Sequence, residues 1–297
     1  MPVPFLERLR SGILIGDGAM GTELFARGLK RGEPPELWNF HHPEIVQDVH
    51  RAYVEAGCDV IQTNTFGANR FRLRRSGLEG QALWLNRLGA ELARAVCPKG
   101  CFVAGSIGPT GEKGVKSQER YEAFWEQAQA LTEGGADLLL IETMTDIEEA
   151  CLAVSAAKAM GLPVIASMVF KEGAEGYMTL GGTPLKEAVQ RLIEGGADAI
   201  GTNCVDPRIA PGIIAEFRRV TNLPLITQPH AGLPKFQENK LIYPFTPERM
   251  LEIYQTLLQT GVNLVGGCCG TTPEHIAYLS GFVKSLFLLN PLPSPPP

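Results

Sequence analysis

Eight short apolar runs, spaced along the whole chain, constrain this sequence more than any single motif. They are ILIGDGAM (13–20), DVIQTNTF (59–66), CFVAGSIG (101–108), DLLLIETM (137–144), PVIASMVF (163–170), AIGTNCV (199–205), PLITQPH (224–230) and NLVGGCCG (263–270). Each passes into a glycine-rich or polar turn and then into a helical pattern. The runs are continuously apolar, without strict alternation, as parallel strands buried on both faces require. Between them lie amphipathic segments such as QERYEAFWEQAQALTEGG, in which Tyr121, Phe124, Ala128 and Leu131 recur at helical spacing. EAGCD, EGGAD (twice) and TGVN each place a glycine where a helix C-terminus needs positive φ, directly before the next strand. Thr-Pro pairs at 183, 246 and 272 predict three helix starts, with Thr as N-cap and Pro at the first helical position. Eight β-α units in 297 residues predict a single-domain α/β TIM (β/α)8 barrel over residues 1–287, with 288–297 as a Pro-rich tail or linker. An open doubly wound sheet is the alternative, but it would not naturally use eight equal units.

Composition narrows the partners. The chain is 44% hydrophobic with a net charge of −5 and no extended basic stripe, which argues against nucleic acid; Arg70, Arg72, Arg74 and Arg75 read as a solvated face. There is no membrane span, and MPVPFLERLRSG lacks the apolar core and cleavage site of a signal peptide, so a cytoplasmic enzyme is expected. Seven cysteines, an odd number in a large chain of this kind, disfavour a disulfide framework and turn attention to clustered pairs.

Barrel chemistry sits at the C-terminal ends of the strands, and there the unusual residues fall: GDGAMGT, QTNTFGAN, GSIGPTG, IETMTD, GTNC, QPHAG and GGCCG. Strands 6 and 8 are separated by one strand, so Cys204 can converge with Cys268 and Cys269. Three thiolates and an open fourth place match a catalytic zinc site. Adjacent residues of a regular strand point to opposite faces; Gly266, Gly267 and Gly270 would let the backbone turn both sulfurs to one ion. Three other readings stand beside zinc: cysteines packed as small hydrophobes, a redox-active vicinal pair, which leaves Cys204 unexplained, and a phosphate site in the glycine-rich turn, which needs no cysteine. Cys58, Cys97, Cys101 and Cys151 read as packing residues.

Taken as a set, GDGAMGTEL, PELWNF, TNTFGANR, GSIGPTG, the Glu-Thr of IETM, GTNC and GGCCGTTPEHI resemble the homocysteine methyltransferase family over residues 10–285. GDGAMGTEL and NTFGANR look most like the N-terminal homocysteine module of cobalamin-dependent methionine synthase. The resemblance implies a TIM barrel, Cys204, Cys268 and Cys269 as zinc ligands, and a homocysteine amino-acid end held by Asp17, the backbone at Ala19 and Met20, and Glu142, with Ser106 and Thr65 as further candidates. Methylation of the thiol would give methionine. Zinc deprotonates a bound thiol, so no separate general base is demanded, and none of the five histidines forms a catalytic arrangement. Where methionine-synthase-type members usually carry asparagine after strand 7, this chain has His230, for which two readings stand: a fourth metal ligand at rest that homocysteine displaces, or a wall residue only. The methyl donor is left open by the residues. Methylcobalamin is favoured, bound by another module since the chain lacks an Asp-x-His-x-x-Gly string, with folate and cobalamin modules expected in the same longer chain. S-methylmethionine or betaine with a stand-alone enzyme is the alternative, betaine being disfavoured because no aromatic cage is evident. A non-catalytic zinc- or thiol-binding barrel is the reading from another class; the substrate-end residues argue against it.

Overall fold

Eight parallel strands line a barrel: β1 (Leu14–Ile15), β2 (Val60–Gln62), β3 (Phe102–Ile107), β4 (Leu138–Met144), β5 (Val164–Met168), β6 (Ala199–Asn203), β7 (Leu225–Gln228) and β8 (Leu264–Val265). The computed structural model describes residues 4–174, 176–237 and 240–289. Neighbours pair in chain order from β2 to β8, and β8 pairs with β1. The wall closes through a parallel bridge between Gly16 and Val60, where the Asp59 N–H reaches the Ile15 carbonyl at 2.7 Å and the Asp17 N–H reaches the Val60 carbonyl at 3.0 Å. Every apolar run contains one barrel strand, as the periodicity predicts. The open sheet is excluded.

Burial on both faces explains why the runs do not alternate. Leu14, Val60, Ala104, Leu138, Leu140, Ile165, Ala199, Ile226 and Leu264 fill the barrel interior, while Ile15, Ile61, Val103, Leu139, Ile141, Val164, Ala166, Ile200, Leu225 and Val265 face the helix layer. An N-terminal helix, Phe5–Ser11, adds Phe5 and Leu9 to the interior cluster, Phe5 standing edge-on to Phe102 with ring centroids 5.3 Å apart. No described helix is long and apolar enough to cross a membrane.

Helix boundaries follow the sequence signals with one exception. Gly57, Gly135, Gly196 and Gly261 all have φ between 78° and 94°, as the four C-cap sequences require. Thr246 and Pro247 start the helix Pro247–Leu258, and Thr272 immediately precedes the helix Pro273–Leu289. The third pair is displaced: Pro184 is itself the N-cap of Leu185–Glu194, because Thr183 is held outside the helix by its N–H bond to Thr179 Oγ1 and its carbonyl bond from Thr179 N–H. The last helix continues to Leu289, past the boundary expected at 287, and the remainder of the tail lies outside the described residues. Two antiparallel strand pairs, Phe170–Gly173 with Gly176–Thr179 after β5 and Lys235–Gln237 with Lys240–Ile242 after β7, were not legible in the runs.

The same four C-cap sequences carry a second device. Each ends in Asp59, Asp137, Asp198 or Asn263, just before an even-numbered strand. Their side chains accept from the N–H groups of Ile15, Val103, Val164 and Leu225 on the preceding odd strand, at 2.7–2.9 Å. Their own N–H groups donate to the carbonyls of those same four residues. A cation from the helix before each odd strand completes the set: Arg8, Arg94, Lys158 and Arg218. Replacing Asp198 by Ala strands the Val164 N–H and the Lys158 ammonium, and is expected to cost roughly 1–3 kcal/mol. Asp198→Asn should keep most of that stability, because Asn263 already fills the equivalent post; urea unfolding of both variants checks this.

Candidate active site and metal centre

Cys204, Cys268 and Cys269 lie just past the ends of β6 and β8, with all three sulfurs within 4.8 Å of one another. The pleat problem does not arise, because β8 ends at Val265 and both cysteines sit in the turn beyond it. The glycines around them differ in purpose. Only Gly270 has positive φ, at 82°, and its missing side chain admits the Tyr243 ring, 2.2 Å from where a Cβ would stand. Gly266 and Gly267 serve close approach instead: a Cβ on Gly267 would meet Thr271 Oγ1 at 2.2 Å and one on Gly266 the Asp17 carbonyl at 2.8 Å. Cys204 itself adopts φ 54°, a left-handed conformation that turns its sulfur out of the strand direction.

The donor set fits zinc. Zn–S bonds of ~2.3 Å in a tetrahedron place sulfurs ~3.8 Å apart, and Cys204 and Cys269 stand 3.9 Å apart. Hydrogen bonds from the Cys204 and Cys268 thiols hold the Cys269 thiol well below its ordinary value, whereas the bonds of Cys268 to Cys204 and Cys269 push Cys268 up.

Two buried carboxylic acids share the mouth with these sulfurs. Glu142, on β4, accepts from Ser106 Oγ at 2.5 Å and from Asn203 Nδ2 at 3.1 Å. Burial raises it to about 7 against the Ser106 bond, and the charge of Cys269 adds to the rise. Asp17, after β1, accepts from the Gln62 backbone N–H at 2.7 Å and its side-chain amide at 2.8 Å. Burial raises it to about 7 as well, those bonds opposing and the charge of Glu142 assisting. Low-dielectric surroundings therefore favour the neutral acids until a cation arrives.

The remaining expected residues divide. Ser106 is in place, as the donor to Glu142. Ala19 offers nothing free, since its N–H donates to the Thr271 carbonyl and its carbonyl accepts from Tyr53 Oη. Met20 opens the short helix that follows. Thr65 faces away: its hydroxyl donates to the Ser106 carbonyl and its methyl packs where a side chain on Gly89 would be, so it supports the wall. His230 is not gathered into the sulfur cluster. Its Nδ1 accepts from the Gly232 N–H at 2.9 Å, which leaves the proton of the neutral ring on Nε2 and no lone pair for a metal. His230, the expected fourth ligand, thus has its Nδ1 engaged within its own loop. His275 is also structural, with Nδ1 against Thr272 and Nε2 against the Phe245 carbonyl.

Comparison with known proteins agrees with this geometry. A model of the homocysteine S-methyltransferase family matches residues 14–283. The chain belongs to the homocysteine S-methyltransferase family. It is thus a member of an enzyme family that transfers methyl groups. It is 32% identical to methionine synthase of Mycobacterium tuberculosis and 31% to that of Mycobacterium leprae, over 95% and 94% of its own length. It spans about a quarter of each of those proteins. Among solved structures, the homocysteine methyltransferase MmuM from Escherichia coli in its metallated form superposes with a TM-score of 0.78 at 27% identity, covering 93% of this chain and 99% of that one.

Three residues at the family's mouth escaped the sequence reading. Gln62 orients Asp17, Asn203 orients Glu142, and Tyr243 stands close enough to the sulfurs that, after burial, their charges raise its phenol to about 12. Asn203 lies inside GTNC and Gln62 inside QTNTF, so the motifs contained them, but polar residues within a strand end carry no individual signal. Tyr243 directly follows the strand Lys240–Ile242 and had none.

The raised acids give a pH signature. Between about 4.5 and about 7 the folded, metal-free protein holds protons on Glu142 and Asp17 that the unfolded chain has released, so their contribution to stability is present at low pH and lost as pH rises through 7. Glu142→Gln can accept from Asn203 and donate to Ser106. It is expected to stabilise the metal-free protein at pH 8 by on the order of 1–3 kcal/mol and flatten this slope, measured by denaturant titration across pH.

Proposed function

We propose that this chain transfers a methyl group to the thiol of homocysteine, giving methionine, with a zinc ion held by Cys204, Cys268 and Cys269. The observation that carries the reading is the convergence of three sulfurs within 4.8 Å at a mouth that also holds Glu142 and Asp17. Zinc held there would lower the proton affinity of a thiol sulfur and present it as a thiolate. The chain's own residues do the rest. Ionised Glu142 and Asp17 pair with the substrate's ammonium, whose charge offsets the burial that raises both acids. Ser106 and Asn203 fix Glu142, and Gln62 fixes Asp17, so the amino-acid end is held by groups already oriented. The Met20 N–H is the backbone donor proposed for the carboxylate. With that end anchored, the sulfur faces the donor; its lone pair forms the new S–CH3 bond as the donor–CH3 bond breaks and its electron pair leaves with the donor, the thiol proton having gone to solvent.

Methylcobalamin presented by another module is the donor we favour, supported by the identity to two methionine synthases of which this chain matches about a quarter. Folate and cobalamin modules would then be its partners in a longer chain. The match to nearly the whole of MmuM supports the second reading, a stand-alone enzyme using a small sulfonium or betaine donor. A cytoplasmic setting is proposed with either.

Zinc analysis and calorimetry test the core of this proposal. One zinc per chain is expected, with homocysteine binding releasing a proton, and Cys204→Ser should lose most of the metal and at least tenfold in homocysteine affinity. His230→Ala should keep its zinc. A protein that binds zinc but neither binds nor methylates homocysteine, with free methylcobalamin, S-methylmethionine and betaine each supplied, would be a metal-binding barrel instead. Affinity for homocysteine is further expected to fall as pH drops below about 7, where Glu142 and Asp17 take up protons.

A further inference from the structure

We infer that Asn203 is the positioning residue that makes the site selective for an α-amino thiol, by locking the Glu142 carboxylate in place. This rests on the homocysteine reading above and concerns how that site recognises its ligand. Asn203 is fully buried at the end of β6, with Ser167 of β5, also fully buried, between it and β4. All four of its amide bonds are made. Oδ1 accepts from the Thr143 N–H at 2.8 Å and from Ser167 Oγ at 2.8 Å, while Nδ2 donates to Thr143 Oγ1 at 2.7 Å and to Glu142 Oε2 at 3.1 Å. The orientation is therefore determined: turning the amide over would set Nδ2 against the Thr143 N–H.

Thr143 shows why this matters. It has φ 58°, and a β-branched residue pays for a left-handed backbone unless its surroundings impose it. The Asn203 side chain grips both its N–H and its hydroxyl, and so sets the peptide that follows Glu142. Ser106 holds the other carboxylate oxygen. Glu142 is thereby fixed from two sides before any ligand enters. Asn203 also immediately precedes Cys204, the other left-handed non-glycine residue among those described, whose N–H is held by the Gln228 carbonyl at 3.0 Å. One residue thus spaces the ammonium-holding carboxylate from the sulfur cluster.

The test compares two thiols on the zinc-loaded protein by calorimetry: homocysteine, and mercaptobutyrate, which keeps the thiol and carboxylate but lacks the amine. Wild-type protein is expected to prefer homocysteine. In Asn203→Ala that preference should fall by about tenfold, the scale of one hydrogen bond to a charged group, with mercaptobutyrate affinity and one zinc per chain retained. Ser167→Ala, which removes only the hydroxyl bracing Oδ1, should lower the preference in the same direction by a smaller factor, and it decides the matter if Asn203→Ala does not fold. An unchanged preference, equal weakening of both thiols, or loss of zinc in step with loss of homocysteine would overturn the inference. Wild-type protein that failed to bind homocysteine at all would instead remove the functional reading, and the inference with it.

Discussion

The site at the mouth of this barrel depends on hydrogen bonds made at its floor. Parallel strands that slide by one residue exchange inward and outward side chains, and in a barrel buried on both faces neither exchange is tolerated by packing alone. Asp59, Asp137, Asp198 and Asn263 each tie their backbone N–H and side chain to one residue of the neighbouring strand, and so set the height at which β1 meets β2, β3 meets β4, β5 meets β6 and β7 meets β8. Cys204 and the turn carrying Cys268 and Cys269 follow two of the strands so tied, β6 and β8, and meet across β7.

At the other end of the strands the balance is reversed, and stability is given up for chemistry. Among the described residues Glu142 and Asp17 are buried acids that form no salt bridge, Cys204 and Thr143 hold left-handed backbones, and the thiols crowd to a few ångströms. Each would be relieved by a ligand of matching chemistry: an ammonium for the acids and a thiophilic cation for the sulfurs. Strain of this kind persists only where the scaffold over-determines it. Here the bonds of Asn203, Ser106 and Gln62 do so.

Much of this was legible in the residues. Continuous apolar runs separated by helical periods specify a parallel barrel, and G-x-D and G-x-N at four strand starts mark left-handed helix ends, because both signals report local physics that a short segment cannot avoid. The three zinc-type cysteines were legible because vicinal cysteines between glycines have few uses and the strand count placed Cys204 two strands away. Thr65 and His230 show where residue type says less. Their residue types suit the chemistry, but Thr65 turns to Gly89 and the His230 ring accepts a neighbouring N–H, and neither fact is written in residue type.

The sequence by itself therefore determined the architecture, the end of the barrel that carries chemistry, and the sulfur set, since these follow from periodicity and from the scarcity of the motif. Only the tertiary structure decided which polar residues serve the site. Whether an asparagine, glutamine or tyrosine near a strand end holds a carboxylate, braces a wall or stands beside the sulfurs depends on side-chain direction and on partners 40 to 60 residues distant, as Asn203 is from Thr143 and Gln62 from Asp17. Those pairings come into being only when the barrel closes.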